Sequence, residues 1–296
     1  MKNDFASHLD IVLRHASTGL TNTPIPRVEI CMGQGSVDKA PCLYRSMICF
    51  ILQGSKRVVI NNTVLSYDHE QYLISALDLP LSGQILDAED GQPYISISLM
   101  LDPAILAEMA ASISSVRDHE QKGIGITINP MTDQLRDTLL RLLSLLDTPA
   151  DIPVLAPMLE KELLYRLLQG PQGRLLRQIA QPDGALSHIR RAVAWIRDHY
   201  SSRLRIEELC HVTGMSRASL HRHFLLITGL SPIQYQKQLR LQEARQLLLS
   251  GEYRASDVAF VVGYESASQF NRDYRRQFGA PPVRNVREIQ QVIANS

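Results

Sequence analysis

The stretch GMSRASLHRHF, residues 214–224, decides how this chain is organised. Gly214 and Ser216 open a short helix whose apolar residues, Leu220 and Phe224, sit four apart. That spacing puts both on one stripe of a helix. Arg217, Ala218, His221 and Arg222 fall off the stripe. A helix that buries so narrow a face, and turns arginine and histidine away from it, has room for a second partner on its outer side.

The flanking sequence is a run of helices punctuated by glycine. RIEELCHVTG stops at Gly214, SRASLHRHFLLITG at Gly229, ASDVAFVVG at Gly263 and SASQFNRDYRRQFG at Gly279. Between them SPIQYQKQLRLQEARQLLLSG reads as one long helix, with Ser-Pro at its start and Gly251 at its end. Upstream, SHIRRAVAWIRDHY puts Ile189, Val193 and Ile196 on one stripe, with Ser187 able to cap it. Two blocks repeat. With Gly214 and Gly263 in register, Leu209-Cys210 matches Val258-Ala259, and Leu220 and Phe224 match Phe270 and Tyr274 with one residue added in the turn. A short helix, a glycine turn and a second helix make a helix-turn-helix unit.

In such a unit the second helix packs one face on its own domain and lays the other in the DNA major groove. Leu220, Phe224 and Ile227 form the expected packed face of the first unit, and Phe270, Tyr274 and Phe278 that of the second. The outward residues are Arg217, Ala218, His221 and Arg222, then Ser268, Gln269 and Arg272, with Arg275 and Arg276 nearer the helix end. Arginine bridges guanine O6 and N7, and glutamine does the same at adenine. Arginine also pairs with phosphate, which sets register without reading sequence. The long helix over 231–249 spans about 28 Å at roughly 1.5 Å per residue, against about 34 Å for one turn of B-DNA. A rigid spacer of that size, with the units' own width, places both reading helices in successive major grooves.

Charge supports this division. The chain of 296 residues carries a net +1, yet residues 186–296 hold 16 Lys+Arg and 9 Asp+Glu, a net of +7, and residues 1–185 hold 15 and 21, a net of −6. A basic half joined to an acidic half suggests nucleic-acid contact through one half only. Hydrophobic residues make up 45% and charged ones 21%, an ordinary globular composition. No apolar run approaches the length of a membrane-spanning helix. The N-terminus is broken by Asp4, His8, Asp10 and Arg14, unlike a secretory signal, so a cytoplasmic location is expected. The four cysteines, Cys31, Cys42, Cys49 and Cys210, lack zinc-ligand spacing and read as small buried apolar residues.

Further from the opening stretch the pattern changes. Residues 5–17 suit an amphipathic helix with Phe5, Leu9, Val12 and Leu13 on one side, broken by TNTPIP. From 28 to 101 come short β-type runs: VEICM, CLYRSMICFIL, KRVVIN, TVLSY, QYLISAL, SGQILDA and YISISLML, with turns such as QGSK and INNT between them. Short strands at close spacing indicate a sandwich or barrel. DPAILAEMAASISS then begins a helical part, followed by MTDQLRDTLLRLLSLLD and PMLEKELLYRLLQG. Their leucine stripes suit the domain's own core or, in part, a dimer seam. GPQG and QPDGA mark a boundary near 170–185.

Residues 187–284 resemble the DNA-binding domain of the AraC/XylS family of transcription regulators. GMSRASLHRHF, TGLSPIQYQKQLRLQEARQLL and VGYESASQFNRDYRRQFGAPP carry the likeness, with Gly263, Tyr264, Ser266, Phe270, Arg272, Phe278, Gly279 and Pro281 matching the signature around the second unit. Cys210 stands where relatives usually have alanine. The resemblance maps base contacts onto Ala218, His221 and Arg222, and onto Ala267, Ser268, Gln269 and Arg272. Ala218 and Ala267 offer only methyl groups. Upstream, ICFILQGSKRVVI, YLISALDLPLSGQI and PYISISLMLDPA resemble the regulatory domain of one AraC-type subgroup. That likeness implies an α+β protein: a cupin-like β-barrel with flanking helices that senses an effector and dimerises, over 1–175, then a linker at 176–186 and an all-α domain with two helix-turn-helix units over 187–296.

The implied partners are double-stranded DNA, a small-molecule effector, a second copy of the chain and RNA polymerase, the last fitting an activator; no membrane is implied. No cofactor, catalytic residue or metal ligand is expected. Tyr44, Cys49, Gln53, Tyr72 and Tyr94 are the candidate effector lining, although a one-residue register slip would invert all of them. Two cysteines in the strand region, Cys42 and Cys49, raise redox or electrophile sensing as a sharper alternative to inert buried thiols. A metal-dependent cupin enzyme with a DNA-binding tail is the rival from another class. It lacks the paired His-x-His, since His69-Glu70 is the only such cluster in the β region. A ligand-free regulator whose barrel only dimerises is the other rival.

Overall fold

The computed structural model describes residues 6–33, 37–60, 63–86, 92–113, 125–251 and 253–294. The chain is α+β, and its contacts divide it into two compact units, one holding most of residues 1–187 and the other built on residues 188–296.

The first unit is built on two antiparallel sheets. One has the order β1 (Gly19–Asn22), β2 (Val28–Gly33), β9 (Tyr94–Met100), β4 (Met47–Gln53), β7 (Gln71–Ser75) and β10 (Ile126–Pro130). The other runs β3 (Val37–Tyr44), β8 (Leu79–Leu86), β5 (Ser55–Ile60) and β6 (Thr63–Tyr67). The central strands β4 and β9 are buried on both faces: MICFILQ is apolar up to Gln53, and YISISLM buries even Ser96 and Ser98. In register, Cys49 faces Leu73 and Ser98, while Phe50 faces Tyr72 and Ile97. Alternation then sends Cys49 to one face of the sheet and Phe50 to the other.

Helices α1 (Ala6–His15), α2 (Pro103–Ala111), α3 (Asp133–Ser144), α4 (Ile152–Gln169) and α5 (Gly173–Ala180) complete the unit. The Asp-Pro start expected for α2 is present: the Asp102 carboxylate accepts the Ala104 N–H, and Pro103 sits in the first turn. Leu135, Leu139, Leu142 and Leu143 of α3 and Leu163, Leu164, Leu167 and Leu168 of α4 are buried against this unit's own core. An Arg27–Glu160 ion pair joins the loop before β2 to α4.

Two local expectations are corrected, and two edge strands are added to those expected. CLYRSMICFIL is two strands, because the chain passes from one sheet to the other at Arg45–Ser46. Helix α4 begins at Ile152 rather than near Pro157, since Pro153 in its first turn needs no N–H and Pro157 lacks only the donor that would have met the Pro153 carbonyl. The segment around TNTPIP contains the edge strand β1, and GIGITINP the edge strand β10. Parts of INNT, SGQILDA, DPAILAEMAASISS and the N-terminal stripe, Phe5 included, lie outside the described residues.

The second unit consists of α6 (Ala185–Asp198), α7 (Ile206–Thr213), α8 (Arg217–Thr228), α9 (Pro232–Ser250), α10 (Ala255–Val261), α11 (Ala267–Phe278) and α12 (Pro282–Ala294). α9 carries a capping box, in which the Ser231 hydroxyl accepts the Gln234 N–H and the Gln234 side chain accepts the Ser231 N–H. Its buried Leu241, Ala244 and Leu248 pack with Val258, Ala259, Val262, Phe270 and Tyr274 into one core under the second helix-turn-helix unit. No single helix among the described residues is long and apolar enough to cross a membrane.

Candidate functional site

Each helix-turn-helix unit turns on a glycine in the left-handed region, Gly214 at φ 68° and Gly263 at φ 89°. Each second helix then starts from a serine cap: Ser216 accepts the Ser219 N–H at 3.3 Å, and Ser266 the Gln269 N–H at 3.5 Å. These caps set the phase of α8 and α11. Leu220, Phe224 and Ile227 point into the core, as do Phe270 and Tyr274, and Phe278 packs partly buried beside them.

The outward residues lie where that phase requires. Arg217, Ala218 and Arg222 are exposed on α8, and His221 is half-buried. On α11, Ser268, Gln269, Arg272, Arg275 and Arg276 are exposed and Ala267 is half-buried. Arg217 lies 3.6 Å from Glu207, and both side chains are open to solvent. Such a pair contributes little to stability and leaves the guanidinium available to phosphate.

Helix α11 carries more order than its exposure suggests. Asp273 is buried on its packed face, 4% exposed. Its carboxylate accepts from Lys237 Nζ of α9 at 2.7 Å, from Arg276 Nη2 at 2.6 Å and from Gln269 Nε2 at 3.0 Å. Burial pushes this carboxyl upward, but the bonds from Lys237 and Gln269 and the charges of Lys237 and Arg276 outweigh that and hold it below the usual carboxylate range. Gln269 Oε1 in turn accepts from Arg272 Nη2 at 2.8 Å.

Arg240 of α9 fastens the unit from within. Its Nε donates to the Tyr200 carbonyl at 2.6 Å, Nη1 to Gly263 at 2.7 Å, and Nη2 to Ser202 at 2.8 Å and Ser201 at 3.2 Å. Gln236, one turn earlier, adds bonds to Tyr200 and Ser202. The loop entering the first helix-turn-helix unit and the turn of the second are thus tied to one spacer helix. The sequence reading missed Arg240 and Asp273. The available signal was a polar residue on an otherwise apolar stripe: Gln236 and Arg240 four apart on α9, and Asp273 beside Phe270 and Tyr274 on α11.

In the first unit a polar cluster lies between the two sheets. Cys49 and Tyr94 come from the six-stranded sheet, and Tyr44, Lys56 and Tyr67 from the four-stranded one. All five are buried. Lys56 Nζ stands 4.8 Å from the centre of the Tyr44 ring and 6.0 Å from that of Tyr94. The Tyr67 hydroxyl donates to Cys49 Sγ at 3.4 Å. Burial, reinforced by Cys49, holds the Tyr67 pKa well above its ordinary range. Burial does the same for Tyr94 against the opposing charge of Lys56, so both phenols keep their protons.

Of the expected lining, Tyr44, Cys49 and Tyr94 therefore come together. Gln53 sits at the end of β4, partly buried and bonded to the Pro93 carbonyl at 2.7 Å. Tyr72 lies on the opposite face, 5.9 Å ring to ring from Phe50, with its hydroxyl beside Gly170 at the end of α4 and its pKa pushed up to about 12 by burial. Lys56 and Tyr67 were not foreseen, because KRVVI reads as well with Arg57 inward as with Lys56. Cys42 is in β3, and its side chain lies outside the described residues. His69 and Glu70 form a surface pair 3.3 Å apart, and among the described residues no three metal-ligating side chains converge.

Known proteins share both halves. A model of the AraC-type transcriptional regulator N-terminus matches residues 24–175, and a helix-turn-helix domain model matches 209–287. The transcriptional activator RhaS of Escherichia fergusonii is 31% identical over 139 residues, 46% of this chain and 48% of its own. This chain thus spans about half the length of the curated relatives it matches. Among solved structures, an apo ToxT variant of Vibrio cholerae superposes with a TM-score of 0.59 at 11% identity over 91% of this chain and 98% of that one. ToxT bound to an unsaturated fatty acid gives 0.53 at 12% identity, over 87% and 94%. At these identities the likeness is one of fold. With its N-terminal half matched from 24 to 175 and its helix-turn-helix region from 209 to 287, the chain belongs to the AraC/XylS family of transcription regulators.

Proposed function

We infer that this chain is a sequence-specific DNA-binding regulator of transcription, controlled by a small molecule held between the sheets of its N-terminal unit. The observation that carries the reading is the repeat itself: two capped helices, each with a buried apolar stripe and exposed arginines opposite. Arg222 and Arg272 are the base readers, and His221, Ser268 and Gln269 flank them. Arg217, Arg275 and Arg276 serve the phosphates. Residues 1–175 together with the rest of α5 bind the effector and pair two copies of the chain, the short turn before α6 connects, and 187–296 bind DNA. Effector binding acts by favouring one placement of the DNA-binding units of the two copies over another.

Genome-wide binding of the tagged protein, followed by titration on its strongest site, tests this. Discrete bipartite sites with halves about one helical turn apart support two reading heads. Diffuse binding that collapses with modest salt rejects sequence-specific recognition. On the strongest site, Arg222→Ala and Arg272→Ala each cost about 1–3 kcal/mol and relax base preference at one position. A uniform loss on all sequences would assign that arginine to phosphate instead.

For the effector, the Lys56 ammonium, buried against the rings of Tyr44 and Tyr94, suits an acid group, the ligand chemistry of fatty-acid-bound ToxT. A bound acid at 100 times its Kd stabilises the folded chain by about 2.7 kcal/mol. A rise in unfolding temperature with an unsaturated fatty acid, lost in Lys56→Met while DNA affinity persists, is the expected result. An unchanged rise in Lys56→Met removes Lys56 from the site.

A further inference from the structure

Both halves of the Gln269 amide are already engaged in the DNA-free chain. Asp273 only accepts and Arg272 only donates, so the amide has one orientation that satisfies both: Nε2 toward Asp273 Oδ2 at 3.0 Å, and Oε1 toward Arg272 Nη2 at 2.8 Å. Reading adenine requires glutamine to present oxygen and amino group together to N6 and N7. Gln269 keeps a second N–H and a second oxygen lone pair, but its two charge-assisted bonds fix the plane and direction in which it can offer them. Arg272 has more to spare. It spends one N–H on Gln269 and keeps Nε, Nη1 and the rest of Nη2 for a base edge.

The anchor of this chain of contacts is not on the DNA side at all. Asp273 is 4% exposed, and its Oδ1 is held by Lys237 Nζ of the spacer helix at 2.7 Å and by Arg276 Nη2 at 2.6 Å. Order therefore runs from α9 through Lys237 and Asp273 to Gln269 and finally to Arg272. We propose that Asp273 is the positioning residue of the second reading helix, that Gln269 is a buttress, and that this helix selects guanine through Arg272 instead of adenine through Gln269. The proposal rests on the DNA-binding reading above and deepens it by assigning a base.

Selection of bound duplexes from a randomised pool by the full chain, at fixed salt, gives the site. Base preference is then measured for the parent, Gln269→Ala, Arg272→Ala and the double variant. The expected parent site has a guanine whose preference Arg272→Ala abolishes. Gln269→Ala lowers preference for that same guanine by about tenfold, a part of what a bidentate arginine–guanine pair supplies, and the double variant equals Arg272→Ala. Asp273→Asn reproduces the Gln269→Ala loss at that base, which a merely structural residue would not do. Should Asp273→Asn fail to fold, the exposed pair Gln269 and Arg272 still decides. Gln269→Ala erasing an adenine preference that Arg272→Ala leaves intact would overturn the proposal. A pool from which the parent enriches no sequence overturns the DNA reading itself, a separate and distinguishable failure.

Discussion

Gly263→Ala destabilises the C-terminal unit by about 2–5 kcal/mol, the sum of a left-handed backbone forced on a residue with a Cβ and an overpacked contact. The same change at its repeat partner, Gly214→Ala, costs about 1 kcal/mol. Both glycines end the first helix of their unit at positive φ, 89° and 68°. They differ in what surrounds them. A Cβ on Gly263 would stand 2.0 Å from the Ser201 carbonyl oxygen and 2.9 Å from Arg240 Nη2, whereas a Cβ on Gly214 would meet nothing within 4 Å. Backbone cannot swing aside as a flexible side chain does, so the turn or the loop at Ser201 must move. Trp195 is the only tryptophan of the chain and lies in α6. Its fluorescence during urea unfolding therefore reports on this unit alone. Equal losses at the two glycines would show that the close approach of Gly263 to Ser201 is not a feature of the protein in solution.

The second large effect is at Arg240. Arg240→Ala is expected to cost about 2–4 kcal/mol, because several partly buried carbonyls lose their donor at once and each unsatisfied group costs about 1–3 kcal/mol. The fork of the guanidinium reaches Tyr200, Ser202 and Gly263 from three different nitrogens. Arg240→Lys puts every donor on one atom and recovers little. The same urea experiment measures both, and a lysine variant close to the parent would reduce Arg240 to a simple surface charge. Gly263→Ala and Arg240→Ala act on one junction, so their costs should fall short of additivity in the double variant.

What could be read from the chain alone follows a physical divide. The helix-turn-helix repeat was legible because everything that defines it is local: stripes three and four residues apart, glycines at positive φ and serine caps. The outward faces of α8 and α11 followed from the same phase. The sheets were legible only as strands. β1 and β10 are short and lie at the two ends of the six-stranded sheet, and β10 pairs with β7 across about fifty residues that contain a helix. No local pattern announces such a pairing. The sheet crossing inside CLYRSMICFIL was hidden for a related reason, since both strands are apolar and only Arg45–Ser46 divides them.

The site residues divide in the same way. Tyr44, Cys49 and Tyr94 were chosen by type and do converge, but Tyr72 belongs to the other face, which only the pairing of Phe50 with Tyr72 reveals. Lys56 was passed over because lysine is seldom buried. Asp273 and Arg240 were passed over because each gains its role from groups distant in sequence: Lys237, 36 residues before the aspartate, and Gly263, 23 residues after the arginine.

Arg240 and Asp273 together decide when the molecule becomes ordered. Their bonds tie the loop into the first helix-turn-helix unit, and the turn and reading helix of the second, to α9 without DNA, so on the DNA-binding reading the entropy of aligning two heads is lost on folding and not again on association. The heads then act as a ruler of fixed graduation. A ruler does not stretch to fit its object, so any mismatch in groove spacing has to be absorbed by the duplex. The bending stiffness of base steps that no side chain touches thereby enters the affinity.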